Sequence, residues 1–89
     1  MARVSFTANL KRHVAAPSSV VRAETVRGAL ETVFAANPPL RGYVLDEQGR
    51  LRKHVNIFVN GAMIADRAAQ SDRIAESDEI YVMQALSGG

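Results

Sequence analysis

Eighty-nine residues, 47% hydrophobic and 22% charged, supply one hydrophobic core and not two. Six glycines and three prolines in an otherwise balanced composition exclude a collagenous repeat, a low-complexity spacer and a disordered tail. The net charge of +2 does not by itself point to nucleic acid or an anionic membrane, and the absence of cysteine excludes a disulfide framework, a thiolate metal site and a cysteine nucleophile.

No run of apolar residues has the length of a signal-peptide core or a membrane span, so a soluble, cytoplasmic protein is expected. The charge is uneven along the chain. Residues 1–53 carry nine Lys/Arg against four acids, and residues 54–89 carry two against five. A basic and an acidic face are the expected result.

Val4, Phe6 and Ala8 alternate with Ser5, Thr7 and Asn9, the period of a strand with one buried face. A basic loop from Leu10 to Ser19 follows, and Val20-Val21-Arg22 reads as a second strand in a hairpin with the first. Thr25 is placed as the N-cap of a helix whose apolar stripe is Val26, Ala29, Leu30, Val33 and Phe34. Asn37-Pro38-Pro39 stops that helix. Tyr43-Val44-Leu45 predicts a short strand and Asp46-Glu47-Gln48-Gly49 a turn.

Val55-Asn-Ile-Phe-Val59 is the strongest strand signal, and Asn60-Gly61 behind it is the strongest turn signal, with Met63-Ile64 as the return. Asp66 to Asp78 is polar and irregular, with Ile74 as a core anchor. Ile80-Tyr-Val-Met-Gln84 is the last strand, entered through Asp78-Glu79 and followed by the stretch 85–89, read as a flexible tail. One α+β domain over residues 1–89 follows, a sheet with helix on one face. Its expected core is Val4, Phe6, Val26, Leu30, Val33, Phe34, Val55, Ile57, Val59, Ile80 and Val82. With that register Phe58, Tyr81 and Met83 point away from the helix and form a candidate partner-docking patch.

Little else carries chemistry. Nothing matches a nucleophile–base pair, a phosphate loop or a carboxylate dyad, so no catalytic residue is expected. His13 and His54, without cysteine, make a poor metal site. Arg50-Leu-Arg-Lys-His54 reads as a solvated loop rather than a phosphate contact, and Glu76, Asp78 and Glu79 as turn residues rather than a calcium loop. The stretch Leu86-Ser87-Gly88-Gly89 differs: two residues without side chains can thread a narrow channel and present a carboxylate to another protein's active site.

The strand around Val4, the helix after Thr25-Val26, Val55-Asn-Ile-Phe-Val-Asn-Gly61, Asp78-Glu-Ile-Tyr-Val82 and the closing Gly88-Gly89 together resemble the ubiquitin-like sulfur carriers of the MoaD/ThiS family. Leu51 to Asn60 and Ala85 to Gly89 look most like the carriers of the cysteine-biosynthesis type. Met83-Gln84-Ala85 stands where molybdopterin-synthase small subunits commonly have an aromatic–Pro–Pro stretch.

The resemblance implies a β-grasp fold, with a mixed sheet of four to five strands on one main helix. It also implies a carrier without catalytic residues, whose Gly89 carboxylate a partner enzyme adenylates with ATP and a sulfur donor converts to a thiocarboxylate. The chain would bind no cofactor itself. Implied partners are the adenylating enzyme, a sulfur acceptor such as a cysteine-synthase-like protein, and a metal-dependent peptidase; neither nucleic acid nor membrane is among them. A ubiquitin-like modifier joined to lysine through Gly89, and a non-covalent interaction module, are the rival readings.

Overall fold

The computed structural model describes residues 2–7 and 18–84. Strand β1 is Ala2–Phe6 and β2 is Ser19–Val21, paired antiparallel with Ala2 opposite Val21. The first strand thus starts two residues earlier than the alternation suggested, and Ala8 lies outside the described residues. Helix α1, Val26–Ala36, begins where expected: the Gly28 N–H donates to the Thr25 hydroxyl at 3.1 Å, satisfying one of the donors a helix start leaves free.

A second helix, α2, Pro38–Val44, replaces the predicted strand at Tyr43-Val44-Leu45. Proline has no N–H to leave unpaired in a first turn, and its fixed φ suits that position, so Pro38-Pro39 stops α1 and starts α2 together. Leu40 and Val44, one turn apart, are both buried and hold α2 on the core. Only Leu45 keeps an extended pairing, an isolated bridge to Leu51.

Strands β3 (Val55–Val59), β4 (Ala62–Met63) and β5 (Glu79–Gln84) complete a five-stranded sheet in the order β2-β1-β5-β3-β4. Central β5 runs parallel to β1 and antiparallel to β3, which makes the sheet mixed. The Asn60-Gly61 turn between β3 and β4 has φ of 51° and 86°, the left-handed pair that a two-residue hairpin requires.

Inward side chains of four strands and both helices share one core. Val4, Val26, Leu30, Val55, Ile57, Ile80 and Val82 are at most 1% exposed, and each large aliphatic among them contributes about 1.5–3 kcal/mol. Ten of the eleven expected core residues are buried. Val59, beside the turn, is only half-buried against the cluster, as is Ile74. Leu40, Leu45, Leu51 and Ile64 belong to the core without having been expected there.

Gln70 is the one buried polar side chain among the described residues, at 0% exposure. Its Oε1 accepts from Arg27 Nη1 at 2.6 Å, and its Nε2 donates to the Arg67 carbonyl at 2.7 Å and the Gly49 carbonyl at 3.3 Å. It therefore ties α1 to the segment leading into β3 and to the loop leading into β5.

Candidate functional site

Strand alternation that buries Ile57, Ile80 and Val82 turns Phe58, Tyr81 and Met83 to the helix-free face. Cross-strand register then places them. Tyr81 sits opposite Phe58 on one side and Ser5 on the other, and Met63 sits opposite Phe58. The result is a row Ser5–Tyr81–Phe58–Met63 across four strands, with Met83 one pleat further along β5. Tyr81 is 40% exposed and Met63 54%, and Phe58 is half-buried between them.

Phe58, Tyr81 and Met83 line one shallow concavity of ≈ 510 Å³, with Asn60, Gly61, Ser77 and Glu79 at its far end. Two hydrogen bonds fix that end: Asn60 Nδ2 donates to Asp78 Oδ1, and the Glu79 N–H donates to Asn60 Oδ1, both at 2.9 Å. Met63 joins the row although the sequence marked it only as part of a return strand. The signal was present in the two-residue turn, which sets Met63 opposite Phe58.

The acidic residues act in turns. The Ala75 N–H and then the Asn60 amide hold the Asp78 carboxyl below the usual carboxylate range. Asp72 is lowered by the N–H groups of Ala65 and Asp66, and Asp66 by the Ser71 hydroxyl and the Ala69 N–H. Asp46 is lowered first by the Arg50 N–H and also by the Gln48 N–H. Each carboxylate is spent on neighbouring backbone donors.

At the opposite end of the sheet from Asn60, the segment before β3 forms a second concavity of ≈ 510 Å³, which His54 lines with Arg50, Arg52, Lys53 and Arg67. No group of three or more His, Cys, Asp or Glu side chains among the described residues is placed to hold a metal ion. Gln84 is the last described residue of β5, opposite Val55, and its N–H donates to the Thr7 hydroxyl at 3.3 Å. Leu86, Ser87, Gly88 and Gly89, like His13, lie outside the described residues. Among those described, no helix is long and apolar enough to cross a membrane.

The family model described as the ThiS family matches residues 4–89. The small archaeal modifier protein 1 of Haloferax volcanii is 34% identical over 65 residues, covering 73% of this chain and 70% of that protein. Its crystal structure superimposes with a TM-score of 0.78 at 26% identity, covering 99% of this chain and 98% of that one. A chain of the Amycolatopsis orientalis BexX/CysO complex gives a TM-score of 0.83 at 19% identity over 100% of both chains. Mycobacterium tuberculosis CysO gives 0.77 at 22% identity, over 97% of this chain and 100% of that one. These neighbours share the ubiquitin-like β-grasp fold.

Proposed function

The chain belongs to the ThiS family, and from that premise we propose that it is a sulfur carrier that works through Gly89. As a small ubiquitin-like carrier or modifier it is not an enzyme. The observation that carries the sulfur reading is the reach of the family match, which runs from β1 through Gly88-Gly89.

In the proposed cycle a carboxylate oxygen of Gly89 attacks the α-phosphate of ATP in an adenylating partner, forming an acyl-adenylate and releasing pyrophosphate. A sulfide-level donor then forms the C–S bond as the C–O bond to AMP breaks. The product thiocarboxylate is a soft anionic nucleophile that can attack an electrophile in a second enzyme. Gly88 keeps the approach free of side chains. The helix-free face with Phe58, Tyr81 and Met83 meets the adenylating enzyme. ATP belongs to that partner and not to this chain. The resemblance to carriers of the cysteine-biosynthesis type favours a cysteine-synthase-like acceptor, with a metal-dependent peptidase to trim any residues beyond Gly89.

A second reading has its own support, because the 34%-identical relative is named a modifier protein. There Gly89 would form an isopeptide bond with a lysine. One experiment separates them: with its adenylating enzyme, ATP and sulfide, the intact protein should gain about 16 Da as oxygen is exchanged for sulfur and a nucleophile is made. Deleting Gly89 should abolish that gain. Sulfur transfer at an undiminished rate by the deletion variant would refute the carrier reading, and a ladder of lysine conjugates without the mass gain would establish the modifier.

A further inference from the structure

The cations beside the end of β5 have no part in the scheme above. Arg50, Arg52, Lys53 and Arg67 surround a concavity in which Asp46 is the only carboxylate among the described residues. Asp46 stays ionised, since its oxygen accepts from the N–H groups of Gln48 at 2.8 Å and Arg50 at 3.0 Å. Glu47 lines the adjoining concavity beside Arg52, so four cations stand against two carboxylates and the surface is net positive. Two of them are fixed in place: Arg67 donates to Asn56 Oδ1 at 2.8 Å and the Arg52 carbonyl at 2.9 Å, and Arg52 Nε donates to the Gly42 carbonyl at 2.7 Å.

The register says where this surface lies. Asn56 pairs with Met83 and Val55 with Gln84, so the cations border the point where β5 gives way to residues 85–89. Asn56 shares the face of Phe58, and the hydrogen bond from Arg67 makes the basic surface continuous with the apolar row. At the other end of β5, Glu79 lies opposite Arg3 and Asp78 bonds Asn60, so two carboxylates stand against one cation there. The face is therefore electrostatically polar along its length. Among the described residues no ring other than the His54 imidazole lines the basic concavity, which leaves little for a nucleic-acid base to stack on.

We propose that this basic cluster docks an acidic surface of the adenylating enzyme beside the entrance that takes residues 85–89, and so fixes which way round the carrier lies on it. The proposal rests on the carrier reading. An exposed, unbalanced charge set acts within about 8 Å at physiological salt, raising encounter rates and disfavouring reversed orientations more than it adds affinity.

The test replaces Arg50 and Lys53 with glutamate; both are exposed, and the Arg50 guanidinium donates to the side-chain oxygen of its neighbour Gln48 and ties no other element down. Arg50→Glu/Lys53→Glu should raise the KM of the adenylating enzyme for the carrier about tenfold or more at low salt, leave kcat unchanged and flatten the dependence on ionic strength. Arg22→Glu/Arg73→Glu, at remote exposed positions, should change neither. The milder Arg50→Gln/Lys53→Gln should give a smaller shift in the same direction, and covers the case in which the glutamate variant fails to fold. Wild-type KM and salt dependence in the variants, while Gly89 deletion still abolishes activation, would overturn the docking proposal and leave the carrier reading standing. Unchanged KM together with loss of binding to RNA would assign the cluster to nucleic acid and equally overturn it. Activation that survives Gly89 deletion would instead remove the carrier reading.

Discussion

Replacing Gln70 with alanine should destabilise this small domain as much as emptying a large core position. The Oε1 bond to the Arg27 guanidinium at 2.6 Å has a charged donor and is worth about 1.5–3 kcal/mol. The Nε2 bond to the Arg67 carbonyl at 2.7 Å adds about 1 kcal/mol, and the longer one to Gly49 adds less. Backbone strain cancels in this comparison, because alanine would inherit the same φ of 52°. A loss of about 3–4 kcal/mol follows, against the 5–15 kcal/mol of a typical domain.

With an m-value near 1 kcal/mol/M, a urea titration followed by far-UV circular dichroism should show the midpoint falling by about 3 M at constant slope. Gln70→Gly loses the same bonds but is at ease with positive φ, so it should be the more stable of the two by about 1 kcal/mol. A cost below about 1 kcal/mol for Gln70→Ala, or the reverse order of the two variants, would refute this account of the buried amide.

Phe34→Ala, which removes a ring only 4% exposed, should cost about 3–5 kcal/mol in the same titration; a marginal change would mean the ring is not a core member. Asp46, Asp66, Asp72 and Asp78 all have folded pKa values below their ordinary ones, so folding binds fewer protons than the unfolded chain does. The stability they give is complete above the unfolded carboxylate range near about pH 4 and is lost as pH falls through the lower folded values; thermal midpoints that rise on acidification would contradict this. Phe58→Ala/Tyr81→Ala should leave the urea midpoint nearly unchanged, since both face away from the core, while raising the KM for activation; unchanged kinetics would remove the apolar row from the docking face.

Elements whose residues alternate against a nearby partner were legible in the sequence. Val55–Val59 and Glu79–Gln84 declare their faces by parity, and the same parity puts Phe58, Tyr81 and Met83 on the open side. Thr25 and the stripe from Val26 to Phe34 did the same for α1. Helix α2 is masked in the sequence because Tyr43 and Val44 favour strands and Pro38-Pro39 reads as a stop. The Leu40/Val44 spacing was the available signal.

Gln70 stayed hidden for a different reason. A glutamine in a polar stretch looks solvated, and its main partner, Arg27, is 43 residues away. Arg67 likewise joins the basic run of Arg50–His54 only through the fold. Long-range polar pairing leaves no period in a sequence.

Gln84 is hydrogen-bonded into the sheet's central strand, with β1 on one side and β3 on the other, so the sheet is a fixed datum for whatever follows. Five residues fully extended span at most about 17 Å. Any enzyme that reacts at residue 89 while gripping the open face must therefore set its reacting atoms within that distance of Gln84. In the proposed scheme the chain therefore sets an upper limit on reach. Two enzymes that share it are free to differ in fold and chemistry, but both must keep the centre that does the work within that reach of the strand end they hold.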